Sequence, residues 1–227
     1  MRLLTIDTST RIGSVAAIDG ASVLCSLQST EQTAHAERLL ALVQAVLGQA
    51  GWSLADLELI ASGMGPGSFT GVRVGMATAK GLASATGLPL LGVVSLEAMA
   101  EAARRLQGAR PVLALLDAKK GEVFAAAYQP DGSRLAEPVH LPRARVTDWI
   151  GTLSAERSEL VACGEVASEL ELPGIHVVRD PASDLPSPPS IGVLAQQQWA
   201  EAPHSRLHDL EPLYVRPPDI QPPRSRQ

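Results

Sequence analysis

Between Gly63 and Gly75 the chain reads Gly63-Met64-Gly65-Pro66-Gly67-Ser68-Phe69-Thr70-Gly71-Val72-Arg73-Val74-Gly75, the mixture of glycine and hydroxyl residues that phosphate cradles use. Three familiar signatures fail here on spacing. A Walker loop ends in Gly-Lys-Ser/Thr, whereas Lys80 stands between Ala79 and Gly81. The dinucleotide fingerprint is one residue shorter than the stretch from Gly65 to Gly71. The esterase elbow needs glycine where Pro66 stands. What remains is a sharp strand-to-helix turn, with Gly65 and Gly67 around Pro66 and with Ser68 or Thr70 capping the helix. Inside that helix Gly71 and Gly75 share one face at i,i+4, continued by Ala79 and Leu82. An interior glycine costs about 1 kcal/mol relative to alanine. Gly71, Gly75 and Gly81 therefore call for an offsetting gain. Close approach of another helix, within the lobe or across a subunit boundary, is the expectation, and anion binding at the helix start is the alternative.

Other polar residues offer less. His35 and Glu37 open the preceding helix, but residues two apart point in different directions and cannot jointly grip one ion. Glu37 suits the positive end of the helix dipole. His204 and His208 have the i,i+4 spacing of a zinc pair, yet no third ligand accompanies them, and solvated surface is the expectation. Cys25 and Cys163 lie in apolar strands without a neighbouring histidine, so both are expected in the core.

These residues need a frame. Apolar positions and turn signals predict strands over Leu3–Asp7, Ser14–Ile18 and Val23–Gln28, with Asp19-Gly20 turning the second into the third. Helices follow at about His35–Gln49, closed by Gly51, and from the glycine segment to Thr86. Strands at Leu57–Gly63 and Pro89–Val94 flank the latter, and Ser95 is expected to cap a third helix with Glu97 in its first turn. Strands resume at Val112–Leu116, Glu122–Tyr128 and Arg134–Leu141. A helix near Ala144–Leu153, a strand at Leu160–Cys163, a Pro/Ser-rich linker over Pro181–Pro189 and a helix over Ser190–Ala200 complete the order. The segment 217–227 reads as disordered.

The 227 residues carry a formal net charge of −5 and 45% apolar residues, enough for one large α/β domain or two small lobes. The acidic balance argues against gripping a phosphate backbone unaided, since Arg73, Arg104, Arg105, Lys119 and Lys120 are scattered. Two cysteines without CxxC suit a reducing compartment. Asp7 interrupts any signal-peptide core, and no apolar run reaches bilayer length. The expected location is the cytoplasm.

Leu4–Ser9, His35–Leu40, Gly65–Gly75, Val94–Ala98 and Leu116–Val123, followed by Pro212-Leu213-Tyr214-Val215-Arg216-Pro217 near the end, occur in that order along the chain. Together these segments resemble the TsaB (YeaZ) family of bacterial tRNA threonylcarbamoylation proteins, the last of them the family's ending. The resemblance implies an α/β fold of the actin/hexokinase (ribonuclease H-like) kind, duplicated, with residues 1–108 as the first lobe, 109–216 as a reduced second lobe and 217–227 as a tail. It implies a scaffold without catalytic residues, which forms homodimers or pairs with a catalytic TsaD-like paralog. A TsaE-like ATPase engages the pair, tRNA is reached only through the complex, and no membrane is involved. The pairing surface falls on His35, Glu37, Arg38, Gly71, Val72, Gly75, Ala79 and Leu82.

Actin-fold kinases hold phosphates with two Asp-x-Gly-Thr hairpins and adenosine with a Gly-Gly turn. Here the hairpins read Asp7-Thr8-Ser9-Thr10 and Asp117-Ala118-Lys119-Lys120-Gly121, and the adenosine turn reads Ala162-Cys163-Gly164-Glu165. Asp7 and Asp117 are thus a weak, degenerate nucleotide site. The chain is expected to have no cofactor of its own, ATP and a metal ion belonging to its partners. An actin-fold ATPase or phosphotransferase is the alternative, and a metallopeptidase a more distant one.

Overall fold

The computed structural model describes residues 1–29 and 36–216, so His35 and the tail 217–227 lie outside the described residues. Strand β1 (Arg2–Asp7) is buried from Leu3 onward and organises the first sheet. It pairs antiparallel with β2 (Ser14–Asp19), which turns through Gly20 and Ala21 into β3 (Ser22–Gln28). Helix α1 (Ala36–Ala50) ends at Gly51, whose φ of 72° is the left-handed geometry expected of a C-terminal glycine. Strand β4 (Leu59–Gly63) lies parallel to β1, helix α2 (Phe69–Thr86) follows, and β5 (Leu90–Val93) pairs with β4. The order is β3-β2-β1-β4-β5.

Successive strand residues feed two cores. Leu4, Ile6, Val15 and Ile60 meet Leu39, Val43 and Val46 of α1 and Val72, Met76 and Ala79 of α2. Leu3, Ala16, Ile18 and Leu59 face the other way. They meet Ala98 of α3 (Ser95–Gln107) and, much later in the chain, Ile191, Leu194 and Ala195. A sheet covered on both sides reads as nearly continuous apolar sequence, which Leu3–Ile6 and Leu59–Ala61 are.

The second sheet repeats this plan. Strands β6 (Val112–Lys119), β7 (Glu122–Tyr128) and β8 (Arg134–Pro142) form an antiparallel meander. Helix α4 (Val146–Ile150) follows, and β9 (Val161–Cys163) and β10 (His176–Val177) pair parallel beyond β6, giving β10-β9-β6-β7-β8. The counterpart of α1 is thus the short α4, and that of α2 is a five-residue 3-10 turn, Glu165–Glu169. The second lobe is the reduced one, and α3 packs between the sheets, with Ala98 in a core of the first and Leu96, Met99 and Ala103 in a core of the second.

Three local expectations need correction. Ser95 is not a cap: it is the first residue of α3, and its N–H donates to the Gly65 carbonyl at 2.8 Å. The strand expected from Leu57 begins at Leu59, after a 3-10 turn at Leu54–Asp56. Pro181–Pro189 is no linker, because α5 (Pro181–Asp184) and α6 (Pro188–Glu201) each open on proline. Proline's fixed φ and missing N–H suit the first helical position, so punctuation that reads as a loop starts two helices. Asp180 and Ser187 cap them.

Beyond α6 the chain returns as a strap over both lobes. The Arg206 N–H donates to Leu90 O (2.8 Å) and the Leu213 N–H to Met64 O (2.7 Å) on the first lobe. Arg216 then reaches Ala118 O (3.3 Å) and Glu122 Oε2 (3.0 Å) on the second. Leu210 anchors the strap in the first core at 1% exposure, against Gly92, where any side chain would strike it. Leu210→Ala should cost about 2–5 kcal/mol, the range for a buried leucine truncation, read from the urea midpoint at unchanged m-value.

Candidate functional site

A cleft of about 710 Å³ separates the lobes. One wall is the β1–β2 turn, Thr8–Arg11, with the Pro66–Gly71 entry to α2; the other is Leu116–Lys120, Phe124 and Glu165. Leu213–Arg216 of the strap also line it. The two phosphate-type hairpins read in the sequence therefore do face one space. At its mouth Arg11 of the first lobe pairs with Glu165 of the second at 3.3 Å. Glu165 stands beside Gly164, where a side chain would collide with the Leu115 carbonyl; the strand end needs that glycine to lie on β6.

Asp117 is fully engaged. Its Oδ1 accepts from the Lys119 N–H (3.1 Å) and from Arg143 (3.2 Å), and its Oδ2 accepts from Lys119 Nζ (2.8 Å). Burial pushes the carboxyl up, but these hydrogen bonds outweigh it and hold it below the usual range. Lys119 and Lys120 adopt positive φ (65° and 54°), which a Cβ-bearing residue enters at a cost of about 1 kcal/mol or more. That conformation turns the Lys119 N–H onto Asp117. Bound magnesium would have to displace two cations from this carboxylate.

Asp7 is different in kind. It is 1% exposed, lies beneath the turn, and its Oδ1 accepts from the Ser9 N–H (3.0 Å) and Ser9 Oγ (2.8 Å). Its Oδ2 is buried with no partner, in space left by Gly63. Desolvation pushes the carboxyl up to about 7, against the opposing Ser9 bonds. The hairpins thus hold one carboxylate paired with cations and another pushed up to about 7 by its burial.

The glycine face of α2 serves this same turn. A side chain at Gly71 would strike the Thr8 carbonyl and one at Gly75 the Thr8 hydroxyl; one at Gly67 would strike the Ser9 carbonyl. In that space Thr8 Oγ1 donates to Gly71 O (2.7 Å) and the Ser68 N–H donates to Ser9 O (2.6 Å). Ser68 also caps the helix, accepting from the Gly71 N–H at 3.2 Å. The expected pairing face is therefore corrected. Val72, Gly75 and Ala79 are buried, Gly71 and Leu82 half-buried, and the glycine cost is offset inside the chain. Of the α1 residues expected there, Arg38 is exposed, His35 lies outside the described residues, and so does the Glu37 side chain.

The outward faces carry another set. Leu40, Ala41, Gln44, Ala45 and Gly48 are exposed on α1, and Arg73, Ala77, Gly81 and Ser84 on α2. Gly48 and Gly81 are helical, yet among the described residues nothing beyond their own helix backbone lies within 4 Å of where their Cβ atoms would be. At the head of α2, Arg73 Nε donates to Tyr214 Oη (2.7 Å), and its guanidinium lies 3.8 Å from the centre of the Phe69 ring. Neither Tyr214 nor this use of Arg73 was evident from composition. The only sequence signal was the Pro212–Pro217 ending.

His204 and His208 lie on the exposed strap, outside any helix. Among the described residues no three His, Cys, Asp or Glu side chains gather as a metal site. Cys25 and Cys163 are buried as expected, and burial pushes the Cys163 thiol up. No helix of the described residues is long and apolar enough to cross a membrane.

Residues 28–179 match the family model TsaD, tRNA N6-adenosine threonylcarbamoyltransferase. The chain is 37% identical over 221 residues to the tRNA threonylcarbamoyladenosine biosynthesis protein TsaB of Escherichia coli K12, covering 95% of each. It is similar in structure to YeaZ from Pseudomonas aeruginosa, with a TM-score of 0.79 and 32% identity over 94% of this chain and 99% of that one. Component A of (R)-2-hydroxyglutaryl-CoA dehydratase from Acidaminococcus fermentans shares the fold alone, with a TM-score of 0.55 at 12% identity over 88% of this chain and 99% of that one. The fold is of the actin/hexokinase kind.

Asp7 binds its proton more tightly folded than unfolded, so its ionisation opposes folding. Relative to Asp7→Asn, wild-type stability should fall as pH rises from about 4 to 7, by on the order of 4 kcal/mol, and stay level above. Denaturant unfolding at pH 5 and pH 8 reads the difference; equal offsets at both pH values would contradict the buried carboxyl. Gly75→Ala should destabilise by about 1–3 kcal/mol through overpacking on Thr8. Gly81→Ala should stabilise by up to about 1 kcal/mol. Thermal unfolding of the two variants side by side checks the opposite signs.

Proposed function

We infer that this chain, which belongs to the TsaB family of tRNA threonylcarbamoyladenosine biosynthesis proteins, acts as the non-catalytic subunit that pairs with a TsaD-like paralog. The pair modifies an anticodon-loop adenosine of tRNA. The observation that carries the non-catalytic reading is the state of the two hairpins. Asp117 is neutralised by Lys119 and Arg143, and Asp7 is sealed beneath its turn, so neither carboxylate is presented to magnesium or phosphate. In this reading ATP and the metal ion belong to the partners, and the protein works in the cytoplasm.

The pairing surface is the outward face of α1 and α2. Gly48 and Gly81 each cost about 1 kcal/mol relative to alanine, with no compensating contact among the described residues. Close approach of a second pair of helices supplies that contact, either from another copy of the chain or from the paralog. The homodimer and the heterodimer then compete for one face. A TsaE-like ATPase engages the heterodimer, and tRNA is reached through the partner, consistent with the net charge of −5.

The test is reconstitution with the TsaD-like partner, the ATPase, a source of threonylcarbamoyl-adenylate and tRNA, scored for modified adenosine. Omitting the chain should abolish product. Gly81→Glu, which places a carboxylate on the open helix face, should lower product in step with lost pairing in sedimentation. Cys25→Ala and His204→Ala should leave product within about twofold, as neither side chain sits at the cleft or the helix face. Full product without the chain would defeat the reading.

A further inference from the structure

Arg73 stands apart from most arginines of this chain. Arg104 and Arg105 pair with Glu101, Arg143 with Asp117 and Glu169, Arg206 with Asp209, and Arg216 with Glu122. Among the described residues Arg73 makes no ion pair. It is nevertheless held in place. Its guanidinium stacks 3.8 Å from the Phe69 ring centre and 5.7 Å from that of Tyr214, and its Nε is tied to Tyr214 Oη. The two rings pack 5.2 Å apart and are still 42% and 44% exposed. Among the described residues neither terminal nitrogen has a hydrogen-bond partner.

We propose that Arg73, bracketed by Phe69 and Tyr214, is a preformed hot spot that receives a carboxylate from the helix of the partner protein. The proposal rests on the pairing reading above and names the chemistry of the partner's contact. Four observations support it. Arg73, Ala77 and Gly81 follow one another at i,i+4,i+8, so the clamp is continuous with the open glycine face. The basic residues of α2 are Arg73 and Lys80 and it has no acidic one, a local positive surface on an acidic chain. A stacked, tethered guanidinium has already lost much of its rotamer freedom, so a bidentate contact costs less ordering entropy on binding. Exposed aromatic rings around an arginine supply the apolar surround that dries such a contact, the composition typical of interface hot spots.

A carboxylate fits better than a phosphate backbone. Gripping a run of phosphates takes several convergent cations, and here a single unpaired one sits among apolar groups. Lys119, across the cleft, is engaged by Asp117. One fixed fork in an apolar frame matches one planar anion presented beside a hydrophobic side chain.

The experiment measures affinity of the full-length chain for the TsaD-family protein of the same genome, with tRNA retention by the complex read in parallel. Arg73→Gln should weaken pairing about tenfold or more. Arg73→Lys should recover only part of it, since an ammonium neither stacks nor binds bidentately. Tyr214→Phe, which keeps the ring and removes the tether, should weaken pairing several-fold. Charge reversal supplies the identity of the ligand: Arg73→Glu should be rescued by exchanging one acidic residue on the partner for arginine. Wild-type affinity in Arg73→Gln overturns the proposal and leaves the pairing reading intact, as does a complete scan of partner carboxylates without rescue. Unchanged pairing with lost tRNA retention overturns it in favour of phosphate. A wild-type chain that fails to bind the partner overturns both.

Discussion

Gly67, Gly71 and Gly75 let the backbone of α2 come down onto the Thr8–Ser9 turn, and the site is arranged around that contact. Thr8 and Ser9 meet the helix through two short hydrogen bonds that no side chain at these positions would permit. The turn is thereby pinned over Asp7, which it seals from solvent. The same contact fixes the roll of α2 about its own axis. Since Gly71 and Gly75 must face Thr8, Arg73, Ala77 and Gly81 must face outward. One packing constraint therefore both closes the first phosphate-type hairpin and displays the proposed pairing surface.

The lobes differ in how they hold the carboxylate of the corresponding loop. In the first, burial does the work: desolvation pushes the carboxyl up to about 7, and one of its oxygens has no partner among the described residues. In the second, the loop is exposed enough to be wet, and the carboxylate is instead held low by a lysine two residues on and by Arg143 from the segment after β8. Nothing about fold duplication requires the same arrangement twice. The first loop is covered by an eighteen-residue helix, whereas its counterpart faces only a 3-10 turn and has no such lid.

Much of this was legible in the sequence because local rules and global packing agree. The alternating feed into two cores wrote Leu3–Ile6 and Leu59–Ala61 as apolar runs, and the glycine turns at Gly20 and Gly51 fell where strands and helices end. The helix-start prolines misled, since proline at a first turn looks like proline in a loop. The glycine face misled more instructively. The cost of Gly71 and Gly75 was inferred soundly, but spacing within a helix does not say what the face meets, and here it meets a turn some sixty residues earlier in the same chain. Gly81, read as part of the same set, lies on the opposite side.

The strap was the least legible part, because the contacts that tie it to the lobes are distant in sequence. Leu210, Leu213, Tyr214 and Arg216 each touch a different element, and their spacing follows neither helical nor strand periodicity. Their physical role is nonetheless definite. The strap is hydrogen-bonded to Met64, just after β4, and to Ala118 near the end of β6, so it spans the cleft between the lobes while Tyr214 holds Arg73 at the head of α2. A change in lobe separation would pull on this segment at Arg216 and reach Arg73 within two residues of chain. The cleft and the outward helix face are thus joined by the last of the described residues, Tyr214 meeting Arg73 on one side and Arg216 meeting Ala118 on the other.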